Sequence, residues 1–158
     1  MERDKLRKIT EVGVVAAVYA ALVLLFAPIS FAAIQFRVAE VLKSAVIFRP
    51  HLIWAMAIGV GVANLMSPFA GPWELLWMPA MNLVGGYGAW FLGTRLNPYV
   101  GAAFFATWIC LAIAVMLSAV AGLPLLPTFG SVLISEVILV VGGVPIMRWV
   151  MGRVENVR

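Results

Sequence analysis

Charge is what this sequence has least of. Of its 158 residues only 11% are charged, against about 25% in an ordinary soluble domain, while 64% are apolar. That leaves too little polarity to cover a water-facing exterior of this size, so the chain faces lipid. Cysteine and histidine are nearly absent too. Cys110 stands alone and cannot close an intramolecular disulfide, and with His51 as the one histidine no zinc cluster or His-rich site can be assembled. The sequence has no GK[ST] phosphate loop, so the chain does not hydrolyse ATP by itself, and it has no HExxH. Cys110 lies in an apolar run without a nearby base, which leaves membrane-enzyme chemistry little to work with. An enzyme, a cofactor and a resident metal are therefore not expected. Nor does the net charge of +4 point to nucleic acid, because the cations sit at the ends of apolar stretches.

Those apolar stretches are what the sequence does have. Residues 1–8 are charged and precede an uncharged run from Val12 to Phe36. The run is longer than a signal-peptide core, and Glu2 and Asp4 dilute the basic start, so cleavage near Ala32 and Ala33 is not expected. Six helices are expected over one membrane domain, 1–158. They run at about 11–27, ended by Pro28, then 36–48, 52–66, 73–92, 98–121 and 129–151, with a GLPLLP turn from Gly122 to Pro127. About 20 residues at 1.5 Å each cross the hydrocarbon core, so the two short segments would need tilt or a thinner local bilayer. The fold class is all-α: an integral membrane protein built as a six-helix transmembrane bundle. Placing both termini in the cytoplasm puts nine of the eleven cations on the inner side of a cell membrane, a strong positive-inside pattern.

Polar residues within lipid usually face a cavity or a partner helix. Here they converge on the outer half of the bundle: Arg37 and Glu40 at the start of the second segment, Asn64 at the end of the third, Trp73, Glu74 and Asn82 on the fourth, and Glu136 on the sixth. Glu136 is the most telling, since no charged residue occurs between Leu96 and Ser135 or between Val137 and Met147. The bland alternatives stay open. Arg37 and Glu40 could be an interfacial ion pair, and Lys43 could snorkel or pair with Glu40. Asn64 and Asn82 could be interhelical glue, Trp73 and Trp77 an interface belt, and Glu74 a helix cap. His51, beside Arg49 and Pro50, reads as a loop histidine. On the first helix, Ala16 with Ala20 and Ala17 with Ala21, preceded by Gly13, form small-residue faces that another helix could approach closely.

The string Ile34-Gln35-Phe36-Arg37-Val38-Ala39-Glu40, followed by Ala63-Asn64-Leu65 and Gly71-Pro72-Trp73-Glu74, resembles the queuosine precursor transporter (QueT) family. Those proteins are the substrate-binding S components of energy-coupling factor (ECF) transporters. The resemblance covers most of the chain and is strongest from Gln35 to Asn82. It implies an ECF S-component-like bundle of six helices, and a 7-deazaguanine substrate such as 7-cyano-7-deazaguanine or its aminomethyl relative. The implied partners are a membrane coupling subunit and two cytoplasmic ATPases, with the coupling contact made through an Ala-x-x-x-Ala face that Ala16, Ala17, Ala20 and Ala21 match in spacing. Under this resemblance Gln35, Arg37, Glu40, Asn64, Trp73, Glu74, Asn82 and Glu136 make up the substrate-binding set. Glu40, Glu74 or Glu136 would accept two adjacent N–H groups of a guanine-type edge, Asn64 or Asn82 would bond the ring carbonyl, and Trp73 would stack on the purine. Two other readings remain: an S component for another small vitamin-like solute, and a membrane scaffold or assembly protein that binds no ligand.

Overall fold

The computed structural model describes residues 2–30 and 36–156, the side chains of 155 and 156 excepted. All regular structure among the described residues is helical. In chain order it comprises α1 (Glu2–Leu25), a single turn α2 (Ala27–Ser30), a 3-10 segment (Val38–Ser44) that runs into α3 (Ala45–Phe48), α4 (Leu52–Asn64), a π-helical turn (Trp73–Trp77) leading into α5 (Met78–Arg95), α6 (Pro98–Ala121), α7 (Leu125–Glu136), a second π-helical turn (Val137–Val141) and α8 (Gly142–Asn156). Three stretches are long and apolar enough to cross a membrane: Glu2–Leu25, Pro98–Ala121 and Leu125–Val154. Helix α4 is apolar but shorter, and the fourth predicted segment runs helically without a break from 73 to 95.

Helix α1 begins well before the expected position 11. Its charged first turns are held by an Arg7–Glu11 pair four residues apart (3.1 Å), an arrangement that supports a helix in water. Glu11 does more than that. Its other carboxylate oxygen accepts from Arg49 Nη1 at 3.0 Å and lies 2.7 Å from His51 Nε2. The loop histidine is thus one arm of a clasp that ties α1 to the turn before α4. At the far end of the chain, α7 starts at Leu125 rather than about 129. Pro127 falls in its first turn, where a missing N–H costs no hydrogen bond. Gly122 closes α6 in the left-handed conformation (φ 66°), which explains why a glycine stands there.

Helices α1 and α4 pack on each other, α4 on α5, α5 on α6, and α6 on α7. Inside this ring runs the stretch 38–48, in contact with α1, α4, α5, α6, the second π turn and α8. The expected short helix is therefore mainly 3-10, and it is not a lipid-facing span. A 3-10 helix rises about 2.0 Å per residue against about 1.5 Å in an α-helix, so a short sequence reaches further through the bundle. Ala39, Glu40, Lys43, Ser44, Ala45, Val46 and Ile47 are all buried. Neighbouring backbones approach closely to enclose it: a Cβ on Gly143 would stand 2.7 Å from the Val41 carbonyl oxygen.

Close approach also joins α5 to α6. A Cβ on Gly101 would run into the Ala89 carbonyl oxygen and stand 2.8 Å from Gly93 Cα, whereas one on Gly130 would meet nothing within 4 Å. Gly101→Ala is therefore expected to destabilise the protein by about 1–3 kcal/mol, the usual cost of overpacking, and Gly130→Ala to leave it unchanged or slightly more stable. Thermal unfolding of the two variants in detergent checks this. Equal melting temperatures would mean that α5 and α6 do not pack at backbone contact.

Candidate functional site

Thirteen polar or charged residues are buried, and most of them gather around the 3-10 segment. The first group sits where Arg37 enters it. Arg37 Nε donates to the Ser30 carbonyl oxygen at 3.3 Å and Nη1 donates to Asn64 Oδ1 at 3.1 Å. Asn64 Nδ2 in turn donates to the Glu74 carbonyl oxygen at 3.2 Å. This relay binds the end of α4 to the first π turn, and it orients Glu74 inward with 1% of its surface exposed. Ser67 sits beside that carboxylate and accepts the Phe69 N–H at 3.1 Å.

The second group lies further along the same segment. The Tyr19 hydroxyl, from α1, donates to Glu40 Oε1 at 2.5 Å. Lys43 pairs with Glu40 on its other oxygen, and its Nζ lies 4.0 Å from Glu136 Oε2. The same ammonium stands 5.4 Å from the centre of the Phe105 ring. Glu136 also lies against the Glu40 carboxyl. Glu40, Lys43 and Glu136 are each no more than 2% exposed. Lys43 therefore pairs and does not snorkel. Arg37 links the two groups, being within electrostatic reach of Tyr19, Glu74 and Glu136.

Both buried carboxylates outside the 3-10 segment stand at π turns. Glu74 lies in the first, and Glu136 immediately precedes the second. Each turn includes the residue four positions before a proline, Leu75 before Pro79 and Val141 before Pro145, where the ring removes a hydrogen bond and crowds the carbonyl. Wider turns relieve that crowding, and π turns recur where a helix must re-aim a functional side chain.

Of the residues expected in the set, Arg37, Glu40, Asn64, Glu74, Asn82 and Glu136 are all buried in the bundle. Gln35 lies outside the described residues. Trp73 is the correction. With Glu74 pointing in, its neighbour is turned by about 100° round the helix, and Trp73 is 38% exposed in edge-to-face contact with Trp77 (5.5 Å between ring centres). The aromatic groups at the polar set are Tyr19 and Phe105. Tyr19 went unnoticed in the sequence, although a phenol in the middle of an uncharged run must find a partner when buried. Ser67 carried no signal at all, because only the turn at 64–70 brings it to Glu74. The small-residue faces also separate. Ala16 and Ala20 are buried in the protein's own core, with the Ala16 backbone near Gly59 of α4, while Ala17 and Ala21 remain outside along with Gly13.

Some of this polarity is unmatched. Glu74 Oε2, Asn82 Oδ1 and Glu136 Oε2 are buried without a hydrogen-bond partner. Asn82 uses only its amide nitrogen, which donates to the Met78 carbonyl oxygen at 2.9 Å. The paired groups allow a direct test of the site's energetics. Lys43→Met removes the cation from Glu40 and should destabilise by about 3–5 kcal/mol, the cost of stranding a buried charge. Adding Glu40→Gln to Lys43→Met should restore part of that loss, because the stranded charge is gone. Unfolding of both variants in detergent reads the difference, and a double variant no better than the single one would contradict the pairing.

Comparison with known proteins gives one positive result. No curated protein and no solved structure matches the chain. Residues 9–152, from α1 through most of α8, match the family model described as QueT transporter. With three membrane-length apolar helices and a buried polar set that has acceptors to spare, the chain belongs to the QueT transporter family and is a transporter rather than an enzyme.

Proposed function

We propose that the protein is the substrate-binding S component of an ECF-type importer and captures a queuosine precursor, a 7-deazaguanine, from outside the cell. The chain crosses the cell membrane six times with both termini in the cytoplasm. A membrane coupling subunit and two ATPases then supply the energy that this chain has no phosphate loop to harvest.

The observation that carries this reading is the trio of buried acceptors without donors: Glu74 Oε2, Asn82 Oδ1 and Glu136 Oε2. Each such atom costs about 1–3 kcal/mol while it stays unpaired, so a bundle held together only by interhelical glue would not keep three. A guanine-type edge offers adjacent N–H donors that match a carboxylate, and its ring carbonyl can accept from an amide. Glu74 is the best reader of that edge. Its backbone is held by Asn64, one oxygen is unoccupied, and Arg37 is close enough to balance its charge. The same set would suit another small ring compound rich in N–H groups, which keeps a vitamin-like solute as the second reading.

The contact with the coupling subunit falls to the face of α1 that the fold leaves open, Gly13, Ala17 and Ala21. The buried pair Ala16 and Ala20 does not contribute to it.

Calorimetry on the purified protein in detergent tests the substrate. Submicromolar binding of a 7-deazaguanine is expected, weakened tenfold or more by Glu74→Gln, since a charged hydrogen bond is worth about 1.5–3 kcal/mol. Binding of a vitamin alone would replace the substrate, and a folded protein that binds nothing would favour the scaffold. Replacing Ala17 and Ala21 together by Leu should abolish uptake by cells carrying the whole transporter while leaving calorimetric affinity within about threefold. Undiminished uptake would remove that face from the coupling contact.

A further inference from the structure

The two cations and three carboxylates buried around the 3-10 segment do not balance. Arg37 and Lys43 face Glu40, Glu74 and Glu136, and all five are at most 4% exposed. Arg49, the other buried cation, is engaged with Glu11 in the clasp that joins α1 to the turn before α4. Residues 31–35 are Phe, Ala, Ala, Ile and Gln, which add no charge to the account. The interior is thus one positive charge short.

The shortfall can be placed. Beside Arg37 there is one carboxylate, Glu74, so that end is even. Beside Lys43 there are two. Its ammonium contacts Glu40 directly and stands 4.0 Å from Glu136 Oε2, beyond hydrogen-bond length. Glu40 is fully engaged, by Lys43 on one oxygen and by the Tyr19 hydroxyl on the other. Glu136 lies against Glu40 and keeps Oε2 without a hydrogen-bond partner. On the same element the neighbouring residues offer no second cation, since none occurs between Leu96 and Met147. Of the groups packed against it, Tyr19 is committed to Glu40, and Phe105 brings only the face of a ring toward Lys43.

A buried carboxylate left uncompensated is expensive, and a single cation arriving at Glu136 would close the balance. We infer that the substrate carries a positive charge, and that Glu136, assisted by Glu40, is the counter-ion for an ammonium group on it. This rests on the proposed function and narrows it. Among 7-deazaguanines it selects a compound with a charged 7-aminomethyl group over the neutral 7-cyano compound. The base edge then lies at Glu74 and Asn82, and the 7-substituent reaches toward Lys43, Glu40 and Glu136. Such a division separates recognition of the ring from recognition of the charge, so each can be tested alone.

The experiment is calorimetry on the full chain in detergent with three ligands: the 7-aminomethyl, 7-hydroxymethyl and 7-cyano derivatives of 7-deazaguanine. The hydroxymethyl compound nearly matches the aminomethyl one in size and lacks only its charge. The aminomethyl compound should bind about tenfold or more tightly than either neutral one, as expected for a charge-assisted bond. In Glu136→Gln that preference should shrink to within about threefold, as the carboxylate that holds the ammonium is lost. Equal binding of the hydroxymethyl compound to the unaltered protein would overturn the proposal, as would a preference that Glu136→Gln leaves intact. Should Glu136→Gln not fold, the ratio measured on the unaltered protein decides alone. A folded protein that binds none of the three sinks the substrate reading itself, and this inference with it. That result is distinct from binding without a charge preference.

Discussion

Lys43 lies at the centre of the bundle between two carboxylates, out of reach of water and lipid headgroups, and the rest of the fold is organised to make that position tolerable. A charge this deep costs several kcal/mol unless its partners are held in place. The partners come from distant parts of the chain: Glu40 from the same 3-10 segment, Tyr19 from α1 and Glu136 from the end of α7. Holding all of them together requires the ring of helices to close around residues 38–48. The small residues at the crossings serve that closure. Gly143 admits the backbone at Val41, Gly93 sits against Ile47, and Gly59 lets α1 approach α4 at Ala16 and Tyr19. In a bilayer, where helices gain little from burying apolar surface against one another, such close approach supplies much of the adhesion.

The helices that carry the other two carboxylates are irregular in the same way. A π turn followed by a proline occurs at 73–79 and again at 137–145, on two elements with no sequence relation. Each lets a helix bring an acidic side chain inward and then resume a regular course toward the end of the bundle where Arg95, Arg148 and Arg153 lie. The bundle thus has two kinds of end. One holds the Glu11 clasp and most of the cations, and the other holds the turn at 64–74 with Arg37, Asn64 and Glu74. A transporter family with its polar set displaced toward one end fits a protein that meets its solute on one side of the membrane and hands it on at the other.

Unequal pairing within the set links structure to function. Arg37, Asn64, Tyr19 and Glu40 form closed contacts and read as the frame. Glu74, Asn82 and Glu136 keep open acceptors and read as the part that a solute completes. A frame with a few exposed valences is pre-organised, since the side chains need not be ordered again when the solute arrives.

The lipid-facing class, the concentration of cations near the termini and the identity of nearly every buried polar residue were legible in the sequence. The reason is that charge in an apolar chain is scarce enough for each occurrence to carry information. The family was legible as well, in the string from Gln35 to Glu40. Three things depended on tertiary structure. Residues 38–48 have the composition of a short spanning helix, and only the surrounding helices make them a 3-10 core segment. Trp73 and Glu74 are adjacent in sequence, yet neighbours on a helix point about 100° apart, so one choice of inward residue excludes the other. Ala16 and Ala17 head equivalent small-residue ladders, and nothing local tells which of them α4 will cover. Spacing along one element determines which residues share a face, but the face that turns inward is decided by the packing of all the helices at once. So is the pairing of Lys43 with Glu136, 93 residues away in the chain.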